Sequence, residues 1–126
     1  MPMVKQILIV DDETGVTYTV KHGLEGLDKD YQVTTVENGE KALLHLQNNQ
    51  LPDLILLDIM MPGMSGWEVH KQIKANQAWK NIPIVFLTAR TDFNAKKAGS
   101  FFGDDYIEKP FKIPELKQRI DKILKK

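Results

Sequence analysis

Three short apolar runs, each cut off abruptly by a polar residue, constrain this chain more than any other feature. They are Ile7-Leu8-Ile9-Val10 before Asp11-Asp12, Leu54-Ile55-Leu56-Leu57 before Asp58, and Ile84-Val85-Phe86-Leu87 before Thr88. A strand buried on one face alternates apolar and polar residues. Runs that are apolar throughout are what parallel strands covered by helices on both sides require. Pro52 and Pro83 stand just before the second and third runs, where a missing N–H does least harm to a strand ladder.

The stretches between these runs are amphipathic. Val16, Val20, Leu24 and Leu27 recur at helical spacing, with Thr14 as the N-cap. Tyr31 to Val36 alternates like a strand, and Asn38-Gly39 opens a helix carrying Ala42, Leu43 and Leu46. Gly66 to Ala75 reads as a third helix, Asp92 to Phe102 as a fourth, and Asp105 to Glu108 as a fifth strand. Ile113, Leu116, Ile120 and Ile123 mark a last helix with Pro114 in its first turn. Strict alternation of five strands with five helices predicts an α/β fold, a single doubly wound parallel sheet. Right-handed crossovers favour strand order 2-1-3-4-5, the flavodoxin-like (βα)5 arrangement.

At 126 residues the chain reads as one domain over residues 1–126, with no output domain in it. The absence of cysteine excludes disulfides, thiolate metal sites and cysteine nucleophiles. A net charge of zero argues against direct nucleic-acid binding, which needs a basic face. No apolar run approaches the ~18 residues needed to span a bilayer, and the N-terminus has no signal-peptide pattern. A cytoplasmic domain with no membrane contact is the expectation.

In such a sheet the functional crevice lies at the carboxyl ends of the strands, where the strand order reverses. That point falls between the first and third strands, and both end in acid. Asp12 and Asp58 are 46 residues apart in sequence, yet the topology brings them together with Asp11. Two carboxylates ~4 Å apart at an effective dielectric near 20 repel by roughly 4 kcal/mol. The cluster therefore calls for a cation or for raised pKa values, and a hard divalent ion such as Mg²⁺ suits oxygen ligands of this kind. The three histidines, His22, His45 and His70, are dispersed without ligand spacing. Thr88 ends the fourth strand and Lys109 the fifth, with Pro110 biasing Lys109 toward extended backbone. Acids, a cation site, a hydroxyl and an ammonium on one edge suit phosphoryl chemistry with a carboxylate nucleophile.

Four linked motifs then carry a family resemblance over nearly the whole chain. They are Ile9-Val10-Asp11-Asp12-Glu13, the stretch from Leu56 through Asp58-Ile59-Met60-Met61-Pro62-Gly63 to Gly66, Leu87-Thr88-Ala89-Arg90, and Asp104-Asp105-Tyr106-Ile107-Glu108-Lys109-Pro110-Phe111. Together, in this order, they resemble the receiver domain of two-component response regulators, in particular the single-domain chemotaxis-type members. The resemblance implies that Asp58 accepts a phosphoryl group from the phosphohistidine of a sensor histidine kinase or phosphotransfer protein. It implies Mg²⁺ held directly by Asp12, through water by Asp11, by Asp58, and by the backbone carbonyl of Met60. Lys109 pairs with Asp58 and then with the phosphoryl oxygens, Thr88 shifts toward them, and Tyr106 swings inward. The Lys109-Pro110 bond resembles the family's cis peptide. The implied output is a protein target, not named by the sequence, docking on helix 4, strand 5 and helix 5. Such a domain is a signalling switch, not an enzyme with an external product. One departure lies between Thr88 and Lys109, which is a residue short, with Ser100-Phe101-Phe102-Gly103 replacing the usual small residues.

Other readings stay open at this level. A haloacid-dehalogenase-like phosphatase would use Asp11 as nucleophile, with Glu13 as the second acid and Asp104-Asp105 as the acid pair. Against it, Glu13 replaces an Asp, Lys109 follows the acid pair, and no cap insertion is present. A flavin-binding domain would need a phosphate loop where Asp11-Asp12-Glu13 stands. A pseudo-receiver would bind partners without phosphorylation. Glu13 reads as a neighbour that tunes access, Trp67, Phe101 and Phe102 as packing, and Trp79 as a loop residue with no functional reading.

Overall fold

The computed structural model describes residues 4–89 and 105–125. Five parallel strands form one sheet in the order β2-β1-β3-β4-β5: β1 (Lys5–Val10), β2 (Tyr31–Val36), β3 (Leu54–Asp58), β4 (Ile84–Thr88) and β5 (Asp105–Glu108). The described helices are α1 (Thr14–Leu27), α2 (Gly39–Asn48), α3 (Gly66–Ala75) and α4 (Ile113–Leu124). The expected sheet order is thus the observed one. The helix expected over Asp92 to Phe102 lies outside the described residues, as do Arg90, Phe101, Phe102 and Asp104.

The apolar runs are buried because each faces two helical layers. Leu8, Val10, Ile55, Leu57 and Phe86 point to one face, against Ala42 and Leu46 of α2 and Val69 and Ile73 of α3. Ile7, Ile9, Leu54, Leu56, Val85 and Leu87 point to the other, against Val20 and Leu24 of α1 and Leu116 and Ile120 of α4. Each such side chain contributes roughly 1.5–3 kcal/mol when removed from water. β2 is an edge strand, so only alternate residues, Tyr31 and Val33, are buried. Among the described residues no helix is long and apolar enough to cross a membrane.

One local expectation changes and another gains a detail. Trp79 stands in the turn after α3, as expected of a loop residue, and is buried there, packing with Ile82 and Ile84 in the first core layer. The short segment after α3 folds back so that its indole closes that layer. Thr14 is not the cap of α1. Glu13 holds that position, with no side-chain cap bond, and Asp11 Oδ1 accepts from the Glu13 N–H at 2.9 Å. That turn starts the helix one residue earlier than the Thr14 cap would. Asn38 does cap α2, its side chain accepting from the Lys41 N–H at 2.8 Å.

Candidate functional site

Strand register builds the site. Val10 lies opposite Leu57, so Asp11 and Asp58 follow at one level on adjacent strands. Asp58 lies opposite Leu87, and Thr88 opposite Glu108, so Thr88 and Lys109 extend the same edge. The Lys109 N–H donates to the Thr88 carbonyl at 2.7 Å, carrying the pairing past the end of β5. The Lys109–Pro110 bond is cis.

The loop after β3 is tied tightly to the strand end. Gly66 N–H donates to the Ile59 carbonyl at 2.8 Å, and Ser65 Oγ caps α3 by accepting from the Glu68 N–H at 3.3 Å. A Cβ at Gly66 would sit 2.2 Å from the Asp58 carbonyl oxygen, so only glycine allows this approach. Gly63 takes a φ of +76° in the same loop.

Asp11, Asp12 and Asp58 present carboxylate oxygens all within 4.8 Å of one another. Asp11 and Asp58 are buried, whereas Asp12 faces solvent. Lys109 Nζ lies 2.8 Å from Asp11 Oδ2, 3.0 Å from Glu13 Oε1 and 3.5 Å from Asp58 Oδ1. Burial first, then the charge of Asp11, push the Asp58 carboxyl up to about 7, against the opposing pull of Lys109. Burial alone would lower Lys109, but its bond to Asp11 and the charges of Asp11 and Asp58 hold its ammonium above the usual lysine range. Among the described residues one ammonium faces four carboxylates, which leaves this edge short of positive charge. The donors are all hard oxygens, which fits a divalent cation of the Mg²⁺ kind.

The remaining expected residues stand around this centre. Thr88 is fully buried and its hydroxyl donates to the Ala89 carbonyl at 3.0 Å. Tyr106 is half-buried against the layer containing Phe86, and Arg119 donates to its carbonyl at 3.2 Å. Arg119 also clasps Asp105 at 2.8 and 3.0 Å, tying α4 to β5. Met60 directs its side chain outward, 67% exposed, so only its backbone is available to a metal. Trp67 packs on Phe86 with ring centroids 4.8 Å apart. Sequence reasoning placed Glu13 near the site but missed its ion pair with Lys109. The available signal was its place as the first residue after the acid pair, at the start of α1.

This edge defines a doubly wound α/β domain with an acid cluster and a lysine at its switch point. Residues 7–121 match the family profile of the response regulator receiver domain. The chain is 35% identical over 125 residues to the phosphate regulon transcriptional regulatory protein PhoB of Rhizobium meliloti, covering 98% of this chain and 54% of that protein. It is 38% identical over 125 residues to the alkaline phosphatase synthesis transcriptional regulatory protein PhoP of Bacillus subtilis, covering 98% and 50%. The structure of the Vibrio cholerae chemotaxis protein CheY4 is similar with a TM-score of 0.85 at 30% identity, covering 96% of this chain and 99% of that one. The chain belongs to the response regulator receiver domain family of two-component signalling. It spans about half the length of the curated relatives it matches.

Proposed function

We propose that Asp58 is the phosphoacceptor of this receiver. Its carboxylate oxygen attacks the phosphorus of a donor phosphohistidine, the P–N bond breaks, and the imidazole leaves with the electron pair. The observation that carries this is the burial of Asp58 at the end of a central strand, beside Asp11 and with Lys109 Nζ at 3.5 Å. Asp11 is a poorer nucleophile, because one of its oxygens accepts from the Glu13 N–H and the other from Lys109. That arrangement disfavours the phosphatase alternative, as does the family match.

Asp11, Asp12 and Asp58, with the Met60 carbonyl, would hold Mg²⁺. When bound, the ion neutralises the acid cluster and the incoming phosphoryl oxygens. Lys109 supplies a second positive charge to those oxygens, and Thr88 turns its hydroxyl from the Ala89 carbonyl to join it. The phosphoryl group adds about −1.5 to −2 charge and three acceptor oxygens. Satisfying them moves Thr88 and draws Tyr106 inward, which changes the surface formed by β5 and α4. The donor is a sensor histidine kinase or phosphotransfer protein, and the reader is a protein target on that surface. The domain touches no nucleic acid itself, works in the cytoplasm as one unit over residues 1–126, and catalyses only its own phosphorylation and dephosphorylation.

Intact-mass spectrometry after incubation with acetyl phosphate tests this reading. The expected result is a gain of one phosphoryl group that needs Mg²⁺ and is lost in Asp58→Ala. Label mapped to Asp11, or an undiminished gain in Asp58→Ala, refutes it.

A further inference from the structure

We infer that Glu13 is a positioning residue that parks the Lys109 ammonium in the resting domain and releases it when Asp58 carries its phosphoryl group. The inference rests on the phosphoacceptor reading of Asp58. An ammonium has three N–H donors and no acceptor. In the resting structure the two short contacts go to Asp11 at 2.8 Å and Glu13 at 3.0 Å, while Asp58 is left at 3.5 Å. Lys109 is therefore turned toward the α1 side of the cleft, away from the oxygen it must serve.

The two short partners differ in what their loss entails. Asp11 is wholly buried and also holds the Glu13 N–H, so leaving it uncompensated is costly. Glu13 has 61% of its side chain exposed, so water replaces Lys109 there at little cost. Its backbone is nevertheless fixed as the cap of α1, with its carbonyl accepting from the Val16 and Thr17 N–H groups at 3.0 and 3.2 Å. Glu13 is thus a firmly placed partner that is easily given up. When a cation draws on the Asp11 carboxylate, Glu13 keeps the ammonium at the rim. When phosphoryl oxygens arrive on Asp58, Lys109 exchanges Glu13 for them. The contact opposes the activated state and stabilises the resting one.

Two variants separate contact from charge. Glu13→Gln keeps the shape and loses the charge. Glu13→Asp keeps the charge but is one methylene shorter. The probe is beryllium trifluoride, a phosphoryl mimic, titrated at saturating Mg²⁺, with Mg²⁺ binding measured separately and the Lys109 ε-methylene signal followed by NMR in metal-free protein. An exposed ion pair of this kind predicts about twofold to fivefold tighter beryllofluoride binding in both variants. Both should also shift the Lys109 signal, and Glu13→Asp should leave Mg²⁺ affinity unchanged. Wild-type behaviour of Glu13→Asp would show that charge near the site, not the contact, matters, and would overturn the inference. Weaker beryllofluoride binding in either variant would overturn it as well. Wild-type protein that takes up no beryllofluoride refutes the phosphoacceptor reading and with it the release step. The Lys109 signal then judges the resting contact alone, and an unmoved signal refutes that contact too.

Discussion

Replacing Asp58 by Asn should make the metal-free protein more stable at pH 8, not less. Asp58 is buried beside Asp11, and its carboxyl is pushed up to about 7 from an ordinary 3.8. The folded state therefore keeps a proton on this group between pH 4 and 7 that the unfolded chain has released. Because the folded state binds more protons there, stability falls as pH rises through that window. A difference of about 3 units at 1.36 kcal/mol per unit makes the full loss on the order of 4 kcal/mol above pH 7. Asn has the same outline and no charge, and Lys109 retains Asp11 and Glu13. The assay is urea denaturation in EDTA at pH 5 and pH 8, wild type against Asp58→Asn, so that histidine titration cancels in the difference. The variant should gain a few kcal/mol over wild type at pH 8 and only roughly a third of that at pH 5, where the fall has just begun, with a shift of roughly 10 °C in Tm at the higher pH. A variant less stable than wild type at pH 8, or an advantage equal at both pH values, would refute the electrostatic reasoning.

Further outcomes follow from the same geometry. Millimolar Mg²⁺ should raise the Tm of wild-type protein at pH 8 by mass action, and Asp12→Asn should lose most of that rise in a thermal-shift titration. Gly66→Ala sets a Cβ against the Asp58 carbonyl. A cost of about 1–3 kcal/mol in urea denaturation and slower labelling by acetyl phosphate should result. Asp121 accepts from Tyr31, Lys5 and Lys117. Burial opposes its ionisation, but the bonds from Lys117, Tyr31 and Lys5 outweigh that and hold its pKa below the usual range. This stability is present above the unfolded pKa and lost as pH falls through the folded one, so Asp121→Asn should cost about 1–2 kcal/mol at pH 7 and less near pH 3 in chemical denaturation. Lys109→Ala should still accept some phosphoryl group by mass spectrometry, while phosphorylation no longer changes partner affinity; wild-type coupling in that variant would contradict its role.

Much of this molecule is legible in its residues alone. Ile7 to Val10, Leu54 to Leu57 and Ile84 to Leu87 are short apolar runs whose length and flanking residues favour strands covered on both faces, as observed. The polar residues that end those runs then stand at the sheet edge, as the register of β1, β3 and β4 places them. Asn38 and Pro114 mark their helix starts by local chemistry that needs no distant partner. What could not be read locally depends on distances across the sheet. Trp79 is a turn residue by sequence and in the structure, and only the packed core shows that its ring is buried. The choice of Lys109 between Asp11, Glu13 and Asp58 turns on differences of less than 1 Å among residues some 50 to 100 positions apart in the chain. So does the proton affinity of Asp58, which is set by burial and by Asp11 on the neighbouring strand. Patterning depends on which residue types must leave water, and that is written along the chain. Coulomb and hydrogen-bond energies depend on separation and desolvation, and only the packed sheet sets those.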